Sequence, residues 1–140
     1  MVETFYRDLH RGKQIEYRVL DIVKYKYPLA YIIDGYCKDW DIYIPEIEIG
    51  IEVKSDEKSK YTGNIEIEIE FNGKPSALST TKAKYWVVYD GYEFKWFLVK
   101  SIKKCILENN LSPCKFIGKG DTKYKIAYLI KKTLLYNYGE

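Results

Sequence analysis

Two carboxylates and a lysine lie on neighbouring alternating segments in the first half of the chain. Asp41 falls in residues 39–44, where polar and apolar side chains alternate, and Glu52 and Lys54 fall in residues 47–54, which alternate in the same way. Because side chains two positions apart on a strand point to the same face, Glu52 and Lys54 share a polar face and lie about 6–7 Å apart. Carboxylates beside a lysine suit a divalent cation and chemistry at a phosphate.

The turn between the two segments decides which aspartate faces Glu52. A two-residue loop at Pro45 and Glu46 puts Asp39 opposite Glu52, whereas a loop two residues longer puts Asp41 there. In either register two carboxylates lie within about 5–8 Å of each other and repel unless a cation lies between them. A Mg²⁺ ion fits such a pair, because it prefers one or two carboxylates together with water and phosphate oxygens.

A third carboxylate, Glu16, comes from a predicted helix. Residues 3–26 carry apolar side chains at three- and four-residue spacing, which predicts an amphipathic helix closed by Pro28. Glu16 falls on the apolar stripe one turn after Gly12, and a carboxylate facing a core needs a hydrogen-bond donor, a lysine or a metal. The alternative is a position at the edge of the stripe, from which Glu16 reaches solvent. Lys54 can hold an attacking water or neutralise charge that develops at phosphorus.

The remaining periodicity predicts one α/β domain with a central mixed β-sheet flanked by helices. The chain has 140 residues, of which 46% are hydrophobic and 31% charged, enough for a single core. Besides the hairpin, strands are predicted over residues 29–34, 64–71, 85–89, 93–99, 114–117 and 124–130, and helices over residues 79–83, 102–109 and 131–138. One strand carries three glutamates on one face, Glu66, Glu68 and Glu70. They form a solvated edge, or else Glu68 or Glu70 holds a metal-bound water.

Composition excludes several classes of chemistry and location. His10 is the only histidine, which leaves histidine-based zinc sites and Ser-His-Asp triads little to build on. The three cysteines (Cys37, Cys105 and Cys114) have no C-x-x-C spacing, which argues against a disulfide framework or an all-cysteine zinc site. Apolar runs reach only about five residues, far short of the ~20 that cross a membrane, and no signal peptide is apparent. We therefore expect a cytoplasmic protein without a membrane anchor.

Charge is distributed unevenly along the chain. Residues 39–70 hold ten acids and three lysines, whereas residues 95–132 hold ten lysines and two acids. An acidic centre beside a lysine-rich region suits a metal site next to a polyanion, and the alternative is an ordinary solvated surface. Thr80, Thr81 and Lys82 open the predicted helix at 79–83, where hydroxyls, N–H groups and an ammonium would suit a DNA phosphate, although they would equally serve as an N-cap and first turn.

The order of these features resembles the PD-(D/E)XK nuclease superfamily, and is similar to that of archaeal-type Holliday junction resolvases and small phage and viral members. The residues that match its motif are, along the chain, Gly12, Glu16, Asp41, Ile51, Glu52, Val53 and Lys54. The resemblance covers roughly residues 9–90. It departs from the motif at Trp40, where the superfamily has a proline before the aspartate, and this keeps Asp39 as a competitor for the role of Asp41.

The resemblance implies a restriction-endonuclease-like core and hydrolysis of DNA phosphodiester bonds by an endonuclease that depends on Mg²⁺ or Mn²⁺. By it, Asp41 and Glu52 bind the ion, Lys54 is catalytic and Glu16 assists from the helix. Chain size and the resolvase-like order of motifs further imply a homodimer that acts on branched DNA. The alternative hypothesis is a non-catalytic nucleic-acid-binding protein that keeps the same fold and its lysine-rich face.

Overall fold

The chain forms two β-sheets and a long N-terminal helix. The computed structural model describes residues 2–35, 39–118, 120 and 122–140, and the side chains from residue 10 onward within those ranges. The strands of these ranges are β1 Tyr31–Ile32, β2 Ile42–Ile44, β3 Ile49–Ser55, β4 Asn64–Phe71, β5 Lys74–Pro75, β6 Tyr85–Tyr89, β7 Phe94–Leu98, β8 Cys114–Ile117 and β9 Tyr124–Lys131. The α-helices are α1 Val2–Lys24, α2 Ser59–Thr62, α3 Val99–Glu108 and α4 Lys132–Leu135, and short 3₁₀ turns cover Ala77–Ser79 and Tyr136–Tyr138.

The larger sheet is mixed, in agreement with the predicted α/β class. Its five strands run in the order β1-β2-β3-β6-β7, in which β3 and β6 are parallel and every other pair is antiparallel. Strands β5, β4, β9 and β8 form a second, antiparallel sheet, so the expectation of one central sheet is incomplete. An alternating pattern reveals which side of a strand is buried but not which strand it pairs with, and for this reason the sequence did not separate the sheets.

Helix α1 covers one face of the five-stranded sheet. Its buried side chains follow helical spacing and are Ile15, Val19, Leu20 and Val23. They face a layer of branched side chains from the sheet, namely Ile42, Ile44, Ile51 and Val87. Val19, Leu20 and Val23 are buried as the predicted stripe requires, Ile15 is buried in addition, and Glu16 lies at the edge of the stripe. Each buried aliphatic side chain contributes about 1.5–3 kcal/mol, which fixes the helix on this face.

The second core lies between the two sheets and under α3. Its largest members come from both sheets and from the helix, and include Ile65, Ile67, Trp86, Phe97, Ile102 and Ile130. Cys105 is buried here with a free thiol, Cys114 is free and exposed on β8, and Cys37 lies outside the described residues. The opposite face of the five-stranded sheet is therefore covered by a sheet rather than only by helices, and the groove between the sheets stays open near the end of β3.

Several predicted elements differ in extent from the structure. Strand β1 is shorter than the predicted 29–34, because Ala30 donates its N–H to Tyr27 O (3.1 Å) in a turn that follows α1. Helix α3 begins at Val99, ahead of the predicted start at residue 102, and the helical tail predicted over 131–138 is present as α4 and a 3₁₀ turn. No helix within the described ranges has both the length and the apolar character needed to span a bilayer.

Candidate active site

The register of the β2–β3 hairpin places Asp41 opposite Glu52. Ile42 pairs with Ile51, and the turn between the strands takes four residues, 45–48, in which Glu48 adopts a φ of 53°. This is the longer of the two predicted loops. Asp41 is therefore the aspartate that faces Glu52, and Asp39 lies beyond the pair.

Asp41 is held tightly against β3. Its side chain is buried, with the residue 5% exposed, and its Oδ2 accepts the N–H of Val53 at 2.7 Å. Its own N–H donates to Ile51 O at 2.9 Å. Together these hydrogen bonds fix the carboxylate across the hairpin, so that it lies beside Glu52 without depending on a flexible side chain.

Glu52 lies between a carboxylate and an ammonium. Burial raises the pKa of Glu52, the hydrogen bond and repulsion with Asp41 add to this rise and Lys54 opposes it, and together these effects bring the pKa to about 7. The Lys54 Nζ is 3.2 Å from Glu52 Oε2. Ionising both of two neighbouring carboxylates is energetically unfavourable. Near neutral pH the pair therefore favours a shared proton or a nearby cation.

The Lys54 side chain extends from β3 toward solvent. Its side chain is 40% exposed and its Nζ lies 5.3 Å from the centroid of the Trp86 ring. The buried indole supports the lysine stem from below and attracts the ammonium. The side chain is thereby directed along the polar face while its charge remains available to a ligand.

Trp40 closes one side of this face. A Cβ on Gly50 would lie 2.2 Å from Trp40 Cδ2, so the indole packs directly on the glycine. The ring also stacks on Tyr43 with centroids 5.2 Å apart. Gly50 therefore leaves space for Trp40 rather than for a ligand beside Asp41. A lone glycine in an alternating strand was the available sequence signal of this close approach.

A cleft of about 380 Å³ opens in front of Glu52 and Lys54, between the two sheets, and the buried Asp41 lies behind its lining. The described residues that line it are Asp39, Glu52, Lys54, Glu68, Ala77, Thr80 and Thr81. Glu68 comes from the four-stranded sheet, and its Oε2 accepts the hydroxyl of Ser76 at 2.8 Å. A second cavity of about 330 Å³ shares Lys54, Glu68 and Ala77 with the first and extends the groove past the end of β3.

The segment that holds Thr80, Thr81 and Lys82 is not the predicted helix. A 3₁₀ turn ends at Ser79, and the Thr81 hydroxyl accepts the N–H of Ala83 at 3.2 Å and the indole N–H of Trp86 at 3.3 Å. These local bonds replace a helical start, since threonine hydroxyls compete with the helix for backbone donors. Thr80 and Thr81 still line the cleft, and the exposed Lys82 lies 3.8 Å from Asp39 Oδ1.

Glu16 lies on α1 at the edge of the buried stripe. Its side chain is 13% exposed, and its Oε1 is 3.7 Å from Lys13 Nζ, which also lies 3.3 Å from Asp34. Glu16 is not among the described residues that line the cleft. A partner lysine therefore satisfies the requirement stated for a carboxylate near a core, and an accessory role at the site stays a prediction.

The described residues hold no group of three or more His, Cys, Asp or Glu side chains arranged to bind a metal ion. The donor set consists of two carboxylates, Asp41 and Glu52, which is the number that Mg²⁺ commonly takes from a protein when water and phosphate supply the rest. Comparison with models of known families, with curated proteins and with solved structures finds no match to this chain.

Proposed function

We propose that this protein is a metal-dependent endodeoxyribonuclease with a restriction-endonuclease-like core. The observation that carries the proposal is the placement of Asp41 opposite Glu52 in the hairpin, with Lys54 on the same face at the mouth of a cleft. The cleft is polar on the side of β3, and its lining carries three carboxylates and one lysine, so an anionic substrate requires a cation bound there.

Asp41 and Glu52 would hold the ion, Mg²⁺ or Mn²⁺. They fit it because both offer hard oxygen donors and because burial and mutual repulsion already favour a cation or proton between them. When bound, the ion supplies Lewis-acid polarisation of a phosphoryl oxygen and lowers the pKa of a water. The Val53 N–H keeps the Asp41 carboxylate in one orientation, so the donors are positioned before any ligand arrives.

Lys54 supplies the positive charge that the reaction needs. Its ammonium lies 3.2 Å from Glu52 and projects toward the cleft, where it holds an attacking water or balances negative charge that develops on the phosphoryl oxygens. Thr80 and Thr81 line the opposite rim, and Lys82 is the exposed cation beside them, so these three are the proposed DNA-phosphate contacts. Glu16 is the proposed accessory carboxylate.

The narrower proposal is cleavage of branched DNA by a homodimer in the cytoplasm. It rests on chain size and on the resolvase-like order of motifs. Sedimentation of the purified protein, together with cleavage of a four-way junction beside a linear duplex of the same sequence, tests it. A strict monomer that cuts both substrates equally well would remove the narrower proposal and leave the general nuclease in place.

A second candidate function is non-catalytic nucleic-acid binding. The observation that favours it is the Val53 N–H on Asp41 Oδ2 at 2.7 Å, which gives this carboxylate a structural task that needs no metal. Such a binder would hold DNA equally well in EDTA, and its affinity would fall steeply with salt because phosphate contacts release counterions.

The deciding experiment is incubation of purified protein with supercoiled plasmid in Mg²⁺, Mn²⁺ or EDTA. The informative variant is Glu52→Gln, and the matched control is Glu48→Gln, which changes an exposed glutamate in the turn of the same hairpin. We expect metal-dependent cutting by the wild type and by Glu48→Gln, and none by Glu52→Gln. Cutting that persists in Glu52→Gln would contradict the proposed mechanism, and metal-independent binding without cutting would favour the second candidate.

A further inference from the structure

Three aromatic side chains form a row across the five-stranded sheet and end at the cleft. Tyr31 on β1 is paired with Tyr43 on β2, which is paired with Gly50 on β3, and directly opposed residues of antiparallel strands share a face. Trp40 covers Gly50 on that face. The aromatic row (Tyr31, Tyr43 and Trp40) therefore lies on the same side of the sheet as Glu52 and Lys54.

The rings of the aromatic row contact one another in sequence from the sheet edge inward. Tyr31 meets Tyr43 edge-on, with centroids 6.0 Å apart at 61°, and Tyr43 stacks on Trp40 at 5.2 Å and 22°. Trp40 packs against the core between the sheets, whereas Tyr31 at the outer end is 47% exposed. The row is thus rigid at the cleft and open to solvent at the sheet edge.

Three lysines lie near the inner end of the row, two of them beside the carboxylates of Glu52 and Asp39. Lys54 is on the shared face, and the exposed Lys82 and Lys84 lie on the segment beside Gly50, where the Lys84 N–H donates to Gly50 O at 3.0 Å. An exposed ring at the outer end of this face and lysines at its inner end match the chemistry of a single nucleic-acid strand, whose bases stack on aromatic faces and whose phosphates attract positive charge. Paired bases cannot use such a row, because they are already stacked inside the duplex.

We propose that the aromatic row binds the unpaired bases of a single-stranded DNA segment whose phosphate backbone continues into the cleft. This rests on the proposed nuclease function for the identity of the substrate as DNA, and it adds that the substrate has an unpaired segment beside the scissile bond. Tyr31 offers the outermost stacking surface, and Tyr43 and Trp40 hold it against the sheet.

The test measures binding of a fluorescein-labelled oligothymidylate and of a duplex of equal length by fluorescence anisotropy in EDTA, so that no cleavage occurs. The variants are Tyr31→Ala and Tyr31→Phe. The matched control is Tyr25→Ala, which removes a 93% exposed tyrosine away from the aromatic row. We expect Tyr31→Ala to raise the Kd for the single strand roughly tenfold, within the range for one stacked base, while Tyr31→Phe and Tyr25→Ala leave it near the wild-type value.

Affinity for the duplex should be unchanged in all of these variants. A general loss of fold or charge would instead weaken the binding of single strand and duplex together. Single-strand affinity of Tyr31→Ala equal to that of the wild type, or equal losses for single strand and duplex, would overturn the inference. A failure of the nuclease proposal can be told apart from a failure of this inference. If the wild type never cuts plasmid but Tyr31→Ala weakens single-strand binding, the nuclease proposal fails and the inference about the aromatic row stands. If the wild type cuts plasmid but Tyr31→Ala binds the single strand as tightly as the wild type, the inference fails and the nuclease proposal stands.

Discussion

Replacing Glu52 by glutamine should stabilise the metal-free protein above neutral pH while abolishing cleavage. Glu52 holds its proton in the folded state up to a pKa of about 7, whereas its ordinary value is 4.5. Burial is the main cause, and the neighbouring Asp41 adds to it. Between these two pKa values the folded state binds more protons than the unfolded state, so the free energy of unfolding falls as pH rises and the loss is complete above the folded pKa.

The magnitude follows from the distance between the two pKa values. At about 1.4 kcal/mol for each pH unit, the gap corresponds to a loss of about 3 kcal/mol between pH 4.5 and pH 7. For a chain of this size that is a change in melting temperature of about 10 °C. Glutamine cannot ionise and can still hydrogen-bond to Asp41, so Glu52→Gln should lack this part of the pH dependence.

The assay is urea unfolding in EDTA at a series of pH values from about 5 to about 8, for the wild type, Glu52→Gln and the hairpin control Glu48→Gln. We expect the wild type and the control to lose stability together as pH rises, and Glu52→Gln to become the most stable of the three at the alkaline end. Parallel curves for all three proteins would refute the reasoning, because they would mean that Glu52 does not retain its proton in the folded state.

Three further predictions concern single side chains. Gly50→Ala should cost about 3 kcal/mol of stability in urea, because the added Cβ would lie 2.2 Å from Trp40 Cδ2, and adding Trp40→Leu should recover part of that loss. Tyr136→Phe should cost about 2 kcal/mol in the same measurement, because the buried Asp90 loses the hydroxyl that donates to its Oδ2 at 2.6 Å, and an unchanged unfolding midpoint would contradict this. Lys54→Met should reduce plasmid cleavage at least about 100-fold, because the reaction loses its positive charge. The free energy of unfolding should change by less than about 1 kcal/mol, because the Lys54 side chain is 40% exposed and an exposed ion pair with Glu52 adds little stability.

The β2–β3 hairpin shows how much of the candidate site could be predicted from the sequence. Alternation predicted both strands and the polar face of Glu52 and Lys54, but two registers satisfied it equally well. The structure adopts the longer loop, in which Glu48 takes a positive φ and Asp41 gains the Val53 N–H. That bond between a side chain and the backbone lies outside the periodicity of the pattern, so counting alternation could not choose the register.

Two other features could not be predicted from the sequence, for physical reasons. The predicted helix at 79–83 failed because the Thr81 hydroxyl bonds to Trp86, a contact that exists only after the sheet has formed. Strand β4 was predicted, but its partner β9 begins at Tyr124, and period-two alternation carries no information about pairing over that distance. The cleft between the sheets was therefore not foreseeable, although the residues on one of its walls were.

The connection between β3 and β6 limits the order in which the parts of the candidate site can fold. These strands are parallel neighbours, yet the chain between them contributes β4 to the other sheet, where its long-range partner is β9. Pairings of such separation are slow to form, because loop closure must precede the contacts that reward it. During synthesis the hairpin with both carboxylates leaves the ribosome long before β9 exists. The cleft wall that carries Glu68 is therefore completed only after β9 has been made, so the groove between the two sheets forms well after the hairpin that carries Asp41 and Glu52.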